Sequence, residues 1–542
     1  LAEHNTSRVQ ELQRALDELR KDLRLCSLDE KIEKCIRRVI SIHEGALDVY
    51  KKERVLQALF FDGIQQRYDM VDEAHAQTFR WLIDGSDDDY GSEDHGNDFD
   101  EELFSMKFNA RGKFTSWLLS ENGGAFHISG KLGSGKSTLM KLLVDSPRTR
   151  DALQSWAGGR TLVFTSFFFW KSGSQLQKSL AGLVRSILYY ILRACPELVP
   201  DLLPDVWSQL SGIPWYCLSE ISITTNDIHR GLTQVLQSPD KHSPGTRCFC
   251  FFIDGLDEYE ETPQNDRKVL VDLLNNWHLA APGMVKLCVS SREDNVFMNA
   301  FSHEHRLRLH ELTRHDIKHY VTDRLQGIPD SQGKLYLVNN VLKRSHGIFL
   351  WVSLVVKLIR EQMENGTNIP DLVKWMDGLP DELNSLFDSI LQSLNPIDRK
   401  RAYQVFAMLR EEKRFLKDQE TRGPEHCGRM SFRLILLVAL PYLDDYERSG
   451  SFALQDRLNR HLEPPVEVLR SRLFYSERRL RGWCRGLVEA SSTSRGDAYV
   501  DFTHRSFADF LELPNIRQAM RSELEGFSAI NALSRTMLAA AQ

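Results

Sequence analysis

The sequence predicts an α/β protein with a parallel sheet covered by helices. Two observations carry that expectation. Between residues 103 and 313, apolar runs of strand length such as Cys248–Ile253 and Val285–Ser290 alternate with helix-length stretches such as Leu176–Leu192 and Val269–Leu279. Strands read as unbroken apolar runs when crossover helices cover both faces of a parallel sheet. Outside that span the pattern changes to helices alone, before it over residues 1–83 and after it from Arg314 until a short strand near Ala498–Phe502. The expected organisation is a helical region (1–83), an acidic linker (84–102), the α/β domain (103–313), a helical subdomain (314–395) and a last region over 396–542.

Taken in order, Leu12, Leu16, Leu19 and Leu23 repeat at coiled-coil spacing, and Ile32, Ile36, Val39 and Ile40 continue an apolar face. The seam is short for a coiled coil, so a packed helical bundle is the favoured reading over an oligomerising one. The stretch DGSDDDYGSEDHGNDFDEE over 84–102 carries too little apolar surface to order itself and reads as a flexible linker. Its acids lack the spacing of a calcium-binding loop. Gly124–Ser129 is a short strand, Ser137–Val144 opens a helix, and Thr161–Trp170 and Leu307–Leu312 are further strands. Cys248 and Cys250, two apart in an apolar run, share one face of a buried strand.

The chain has 542 residues, with 42% apolar and 27% charged residues, the balance of a globular protein. Its 69 basic and 75 acidic residues give a net charge of −6, which argues against general nucleic-acid binding. The nine cysteines follow no metal spacing and read as reduced thiols of a cytoplasmic protein. No apolar run reaches the roughly 18 residues of a membrane span; Ile348–Ile359 reads as a buried helix. No stretch of the given sequence reads as a signal peptide. The first residue is Leu, which suggests a fragment or a processed product.

Three patterns carry chemistry. Gly130-Lys131-Leu132-Gly133-Ser134-Gly135-Lys136-Ser137 fits G-x-x-x-x-G-K-[ST] completely, between a strand and a helix. Glycines let backbone N–H groups turn toward an oxyanion, and the helix that follows, through Thr138, points its positive end at the phosphates. Lys136 is placed to reach the β- and γ-phosphates, and Ser137 to bind Mg²⁺. In the second, CFCFFIDGLDE over Cys248–Glu258, an apolar strand delivers Asp254 to the sheet end where ligands bind, as a second Mg²⁺ partner. Asp257 and Glu258 follow as candidates to polarise an attacking water. Third, Arg292 ends the next buried strand after Ser290-Ser291 and can report a γ-phosphate.

Together these motifs resemble the NACHT class of P-loop NTPases, most diagnostically in Asp254-Gly255-Leu256-Asp257-Glu258. The wider chain resembles fungal NACHT proteins with a nephrocystin-3-like nucleotide-binding region, through His75–Leu82, Ser166–Trp170, Lys286–Arg292 and Gly347–Val352. The resemblance implies a P-loop NTPase parallel sheet followed by helical and winged-helix-like subdomains that close over the nucleotide. It also implies a signalling switch, similar to innate-immune receptors and heterokaryon-incompatibility proteins, that holds ADP when closed, takes ATP, opens and self-associates. Relatives place a histidine on the ADP β-phosphate within F-x-H-x-x-x-x-E-F. Phe502–Phe510 has that shape with Asp509 in the acidic place, so His504 is the candidate sensor, against an ordinary helix histidine. Where relatives put a proline on the adenine, this chain has Gly347-Ile348-Phe349; Phe349 or Ile348 is the candidate base contact, and ATP is not separated from GTP. A continuously cycling remodelling ATPase and a nucleotide-binding scaffold without hydrolysis are the rival readings. Effector and sensor partners are not legible.

Overall fold

The computed structural model describes residues 47–75, 78–85, 98–212, 221–237, 247–328, 330–421, 440–449, 452–455, 466–492 and 498–541. The leucine seam of 12–23, the apolar face of 32–40 and most of the acidic stretch lie outside the described residues. In chain order, α1 spans 47–59, α2 Gln66–Met70 and α3 Asp98–Leu119. Next come β1 Gly124–Ser129, α4 Lys136–Asp145, α5 Pro147–Ala157, β2 Thr161–Phe168, α6 Leu180–Ala194 and α7 Thr225–Gln237. β3 Arg247–Asp254, α8 Arg267–Ala280, β4 Val285–Ser291 and β5 Arg306–Arg308 complete the sheet and its cover.

The five strands are parallel in the order β2-β3-β4-β1-β5. All eight residues of β3 are buried, and their alternation divides the core. Cys248, Cys250 and Phe252 face a cluster with Leu139 and Met140 of α4, Leu153 of α5, and Phe114 and Trp117 of α3. Phe249, Phe251 and Ile253 face α6, α7 and α8 through Leu183, Ile187, Leu232, Leu270 and Leu274. The two cysteines thus share a face, as their spacing requires.

Lys286, near the start of β4, is fully buried. Its ammonium donates to the carbonyls of Trp117 and Ser120 at the end of α3, the latter at 2.8 Å. It also lies 5.3 Å from the Trp117 ring and 4.9 Å from that of Trp156. Helix carbonyls without intrahelical partners, and aromatic faces, both attract a cation. Burial still pushes the Lys286 pKa down to about 8.

Three elements differ from expectation. α3 begins at Asp98, inside the span predicted as linker; acids in a first turn favour a helix, and Leu103, Lys107, Ala110 and Phe114 give it a buried face. The strand expected over Leu307–Leu312 ends at Arg308, and Leu309–Leu312 is a helical turn. The stretch expected over Leu176–Leu192 splits into a 3-10 turn, Leu176–Lys178, and α6, which Ser179 caps by accepting the Gly182 N–H.

The helical part contains α9 Arg314–Arg324, α10 Ser331–Ser345, α11 Phe349–Glu364, α12 Leu383–Ser393, α13 Pro396–Thr421 and α14 Val466–Cys484. A hairpin follows, β6 Val488–Ser492 and β7 Ala498–Phe502, paired antiparallel. The chain continues through α15 Arg505–Leu511, α16 Pro514–Glu523 and α17 Ala529–Ala541. The sequence pattern foretold only the second strand of that hairpin. One apolar cluster runs from Ile317 to Leu533, so residues on both sides of position 395 share a core. Among the described residues no helix is long and apolar enough to cross a membrane.

Candidate functional site

The loop Gly130–Ser137 lies between β1 and α4. Gly133 and Gly135 have φ of 72° and 90°, the left-handed region that a Cβ penalises. Space excludes a side chain there too: a Cβ on Gly133 would lie 2.8 Å from Leu350 Cβ, and one on Gly135 2.8 Å from Phe79 Cζ. Lys136 Nζ donates to the carbonyls of Gly130 and Lys131, both at 2.9 Å, folding the side chain back over the loop. Burial pushes its pKa down, and Asp257 and Asp254 oppose that shift. Lys131 is exposed, Leu132 packs against the helical core, and the buried Ser134 Oγ has no hydrogen-bond partner. Ser137 and Thr138 are partly exposed in the first turn of α4.

β3 carries Asp254 to the mouth of the sheet, where it is 1% exposed. Ser290 Oγ of β4 donates to its Oδ1 at 2.5 Å and accepts the Gly255 N–H at 2.9 Å. Burial raises the Asp254 pKa, and hydrogen bonds from Ser137 and Ser290 oppose the rise. The Asp254 carboxylate and the Ser137 hydroxyl are hard oxygen donors in contact. That pair suits Mg²⁺, which usually takes few protein ligands and fills its shell with water and phosphate.

Asp257 and Glu258 follow on a 3-10 turn, and cations hold both. Arg292 donates to Asp257 through Nε at 2.9 Å and through its backbone N–H at 3.1 Å. Arg505, from the start of α15, reaches Asp257 Oδ2 at 3.3 Å and Glu258 Oε1 at 2.8 Å. Glu258 Oε2 accepts the Lys171 N–H at 3.0 Å. Asp509, one turn along α15, faces Arg505, Lys171 and Arg292 at 3.4, 3.5 and 3.8 Å. Burial works to raise the Asp257 pKa, but Arg505, Lys136 and Arg292 outweigh it and hold it below the usual carboxylate range.

His504 is the N-cap of α15. Its Nδ1 accepts the Ser506 N–H at 3.1 Å, which leaves the proton of the neutral ring on Nε2. Burial, then the charges of Arg67, Arg505, Lys136 and Arg292, lower its pKa to about 3. The imidazole is therefore neutral in this state.

Phe349 begins α11 directly over the loop. The Leu350 N–H donates to the Gly133 carbonyl at 3.0 Å, and the Phe349 ring meets Phe79 at 5.4 Å. Ile348 Cγ2 would lie 3.2 Å from a Gly133 Cβ. Phe79 has φ of 65°, and its N–H donates to Asp316 of α9 at 2.8 Å. The same buried carboxylate takes Trp81 Nε1 at 3.1 Å and Lys107 Nζ at 3.3 Å. Gly347 lets this turn approach the sheet: a Cβ there would be 1.9 Å from the His310 carbonyl oxygen.

The fold thus brings together the loop, Asp254, Asp257, Glu258 and Arg292, with Phe349 against the loop and His504 at the start of the helix that carries Arg505. Sequence reasoning missed Arg67, Lys171, Arg505 and Asp316. Arg505 did leave a signal. A cation in the first turn of a helix opposes the helix dipole and calls for carboxylates from elsewhere.

Residues 106–292 match the family described as nephrocystin 3, N-terminal, and residues 393–542 match a domain of unknown function, DUF7791. No curated protein matches the chain. Among solved structures the chain is similar to Cdc6p from Pyrobaculum aerophilum, at 12% identity and a TM-score of 0.30, over 85% of this chain and 99% of that one. It is also similar to a chain in a structure of Drosophila ORC bound to DNA, at 13% identity and a TM-score of 0.30, over 76% of this chain and 86% of that one. Both likenesses are too distant to bear on chemistry. The complete phosphate loop and four of the five parallel strands lie within residues 106–292, so this part of the chain, which matches the nephrocystin 3 N-terminal family, is a NACHT-like P-loop NTPase domain.

Proposed function

We propose that the chain is an ATP/ADP-dependent signalling switch with slow hydrolysis, closed with ADP and opened by ATP, self-associating when open. The observation that supports this reading most is the junction at the sheet mouth. Arg505, more than 360 positions beyond Lys136 in the sequence, pairs with Asp257 and Glu258 of the β3 turn, and His504 beside it lies close enough for the Lys136 charge to lower its pKa. A nucleotide bound there would touch both parts of the chain, so its phosphate count could bias their closure. Lys136 and the loop amides would hold the β- and γ-phosphates, and Asp254 and Ser137 would hold Mg²⁺, which supplies charge neutralisation. Phe349 and Ile348 would flank the base. The neutral His504 ring would donate Nε2–H to the β-phosphate, a contact that a γ-phosphate crowds.

A ligand shifts an equilibrium only by its differential affinity for the two states. His504→Leu should therefore weaken ADP by about tenfold, or 1.4 kcal/mol, and ATP much less, and should promote self-association. Calorimetric titration of both nucleotides decides it: equal losses would remove His504 from the switch. A nucleotide-free protein from gentle purification would favour a turnover enzyme over a switch that retains ADP.

A further inference from the structure

We propose that Arg505 is a positioning residue for hydrolysis: in the closed arrangement its guanidinium engages Asp257 and Glu258 together and keeps both from accepting a proton from water. This rests on the reading of those acids as hydrolytic. The four carboxylate oxygens are all in use. Both Asp257 oxygens face Arg292, and one also faces Arg505; Glu258 has Arg505 on one oxygen and the Lys171 N–H on the other. The Arg505 side chain is only 9% exposed, and those of Asp257 and Glu258 are 6% and 10% exposed. A guanidinium in the first turn of α15 is disfavoured by the helix itself, so the acids hold it there. Phe507 anchors the same helix in the helical core, 5.2 Å from Phe387 and 5.0 Å from Phe406.

In hydrolysis the water oxygen bonds to the γ-phosphorus and the bond from that phosphorus to the β–γ bridging oxygen breaks. ADP leaves with the electron pair, and the water proton passes to a carboxylate and on to the released phosphate. A carboxylate in an ion pair with a guanidinium is a weaker base, and it has no free oxygen to orient the water. The cation belongs to the C-terminal part and the acids to the sheet. Opening separates them, so the step that exposes the site is also the one that frees its base.

The test is single-turnover hydrolysis of Mg·ATP by the full chain. Arg505→Gln should raise the rate about tenfold while ATP affinity stays within about threefold, a split that loss of structure does not produce. Arg505→Lys, the variant more readily folded, keeps a charge but not the two-pronged reach and should give a smaller rise. In an Asp257→Asn/Glu258→Gln background, Arg505→Gln should have no effect. A slower or unchanged rate in both Arg505 variants, or a rise that persists without the acids, would overturn the proposal. If the acid variants alone hydrolyse at the parent rate, the hydrolytic reading of the acids fails instead.

Discussion

Two buried cations sit near opposite ends of the same sheet, and their surroundings differ in kind. Lys286, at the start of β4, is met by backbone carbonyls and two indole rings, all within the α/β part. Arg505, at the mouth, is met by carboxylates that belong to another part of the chain. Neutral dipoles and π-faces hold a cation without setting up a competing charge, so that contact can be permanent. Ion pairs across a junction are strong only while water is kept out, and separating the two parts returns both partners to water. The base of the sheet is thus held by neutral partners within one part, and the mouth by ion pairs between two parts of the chain.

Removing a cation at each end should have opposite effects. Lys136→Ala, at the mouth, should abolish ATP binding, raising Kd at least about a hundredfold, or 2.7 kcal/mol, with little change in thermal stability. Lys286→Met, at the base, should cost about 2 kcal/mol of stability by leaving buried carbonyls unpaired, with a nearly unchanged Kd. Calorimetric titration and denaturant unfolding on both variants give the crossed pattern or refute it.

A smaller effect sharpens the picture of the mouth. The His504 pKa falls from 6.5 to about 3 in the folded protein. Below about 6.5 the unfolded chain therefore takes up a proton that the folded one refuses, and stability falls as pH drops from there toward 3. His127 and His310 are lowered to about 3 and about 4 and act in the same direction. The His504 share is the difference between the parent and His504→Gln. Melting temperatures of the nucleotide-free protein at pH 7.5 and 5.5 should drop less in the variant; an equal drop would mean that the ring is not buried neutral.

What was legible in the sequence follows the range of the forces involved. The sheet was readable because β3 is apolar on both faces and β4 on one, and the phosphate loop and Asp254 because backbone geometry fixes their spacing locally. The end of β5 was not, since Leu307-Arg308-Leu309 alternates as a strand does while Leu309 and Leu312 are spaced as in a helical turn. β6 was missed because VEASS is short and polar and takes its strand form from pairing with β7. The pairing of Arg505 with Glu258 and of Asp316 with Phe79 joins positions hundreds of residues apart, where no local pattern records a partner.

Asp316 has a mechanical consequence. One carboxylate on α9 fastens the Phe79 backbone in a left-handed conformation, together with the Trp81 indole and the Lys107 ammonium of α3. The stretch that leads into the nucleotide fold and the helix that leads out of it are pinned at the same point. A rotation of the helical part about the sheet mouth cannot leave the upstream chain at rest. In the opening proposed above it would drag on residues 78–82 or break the pin at Asp316.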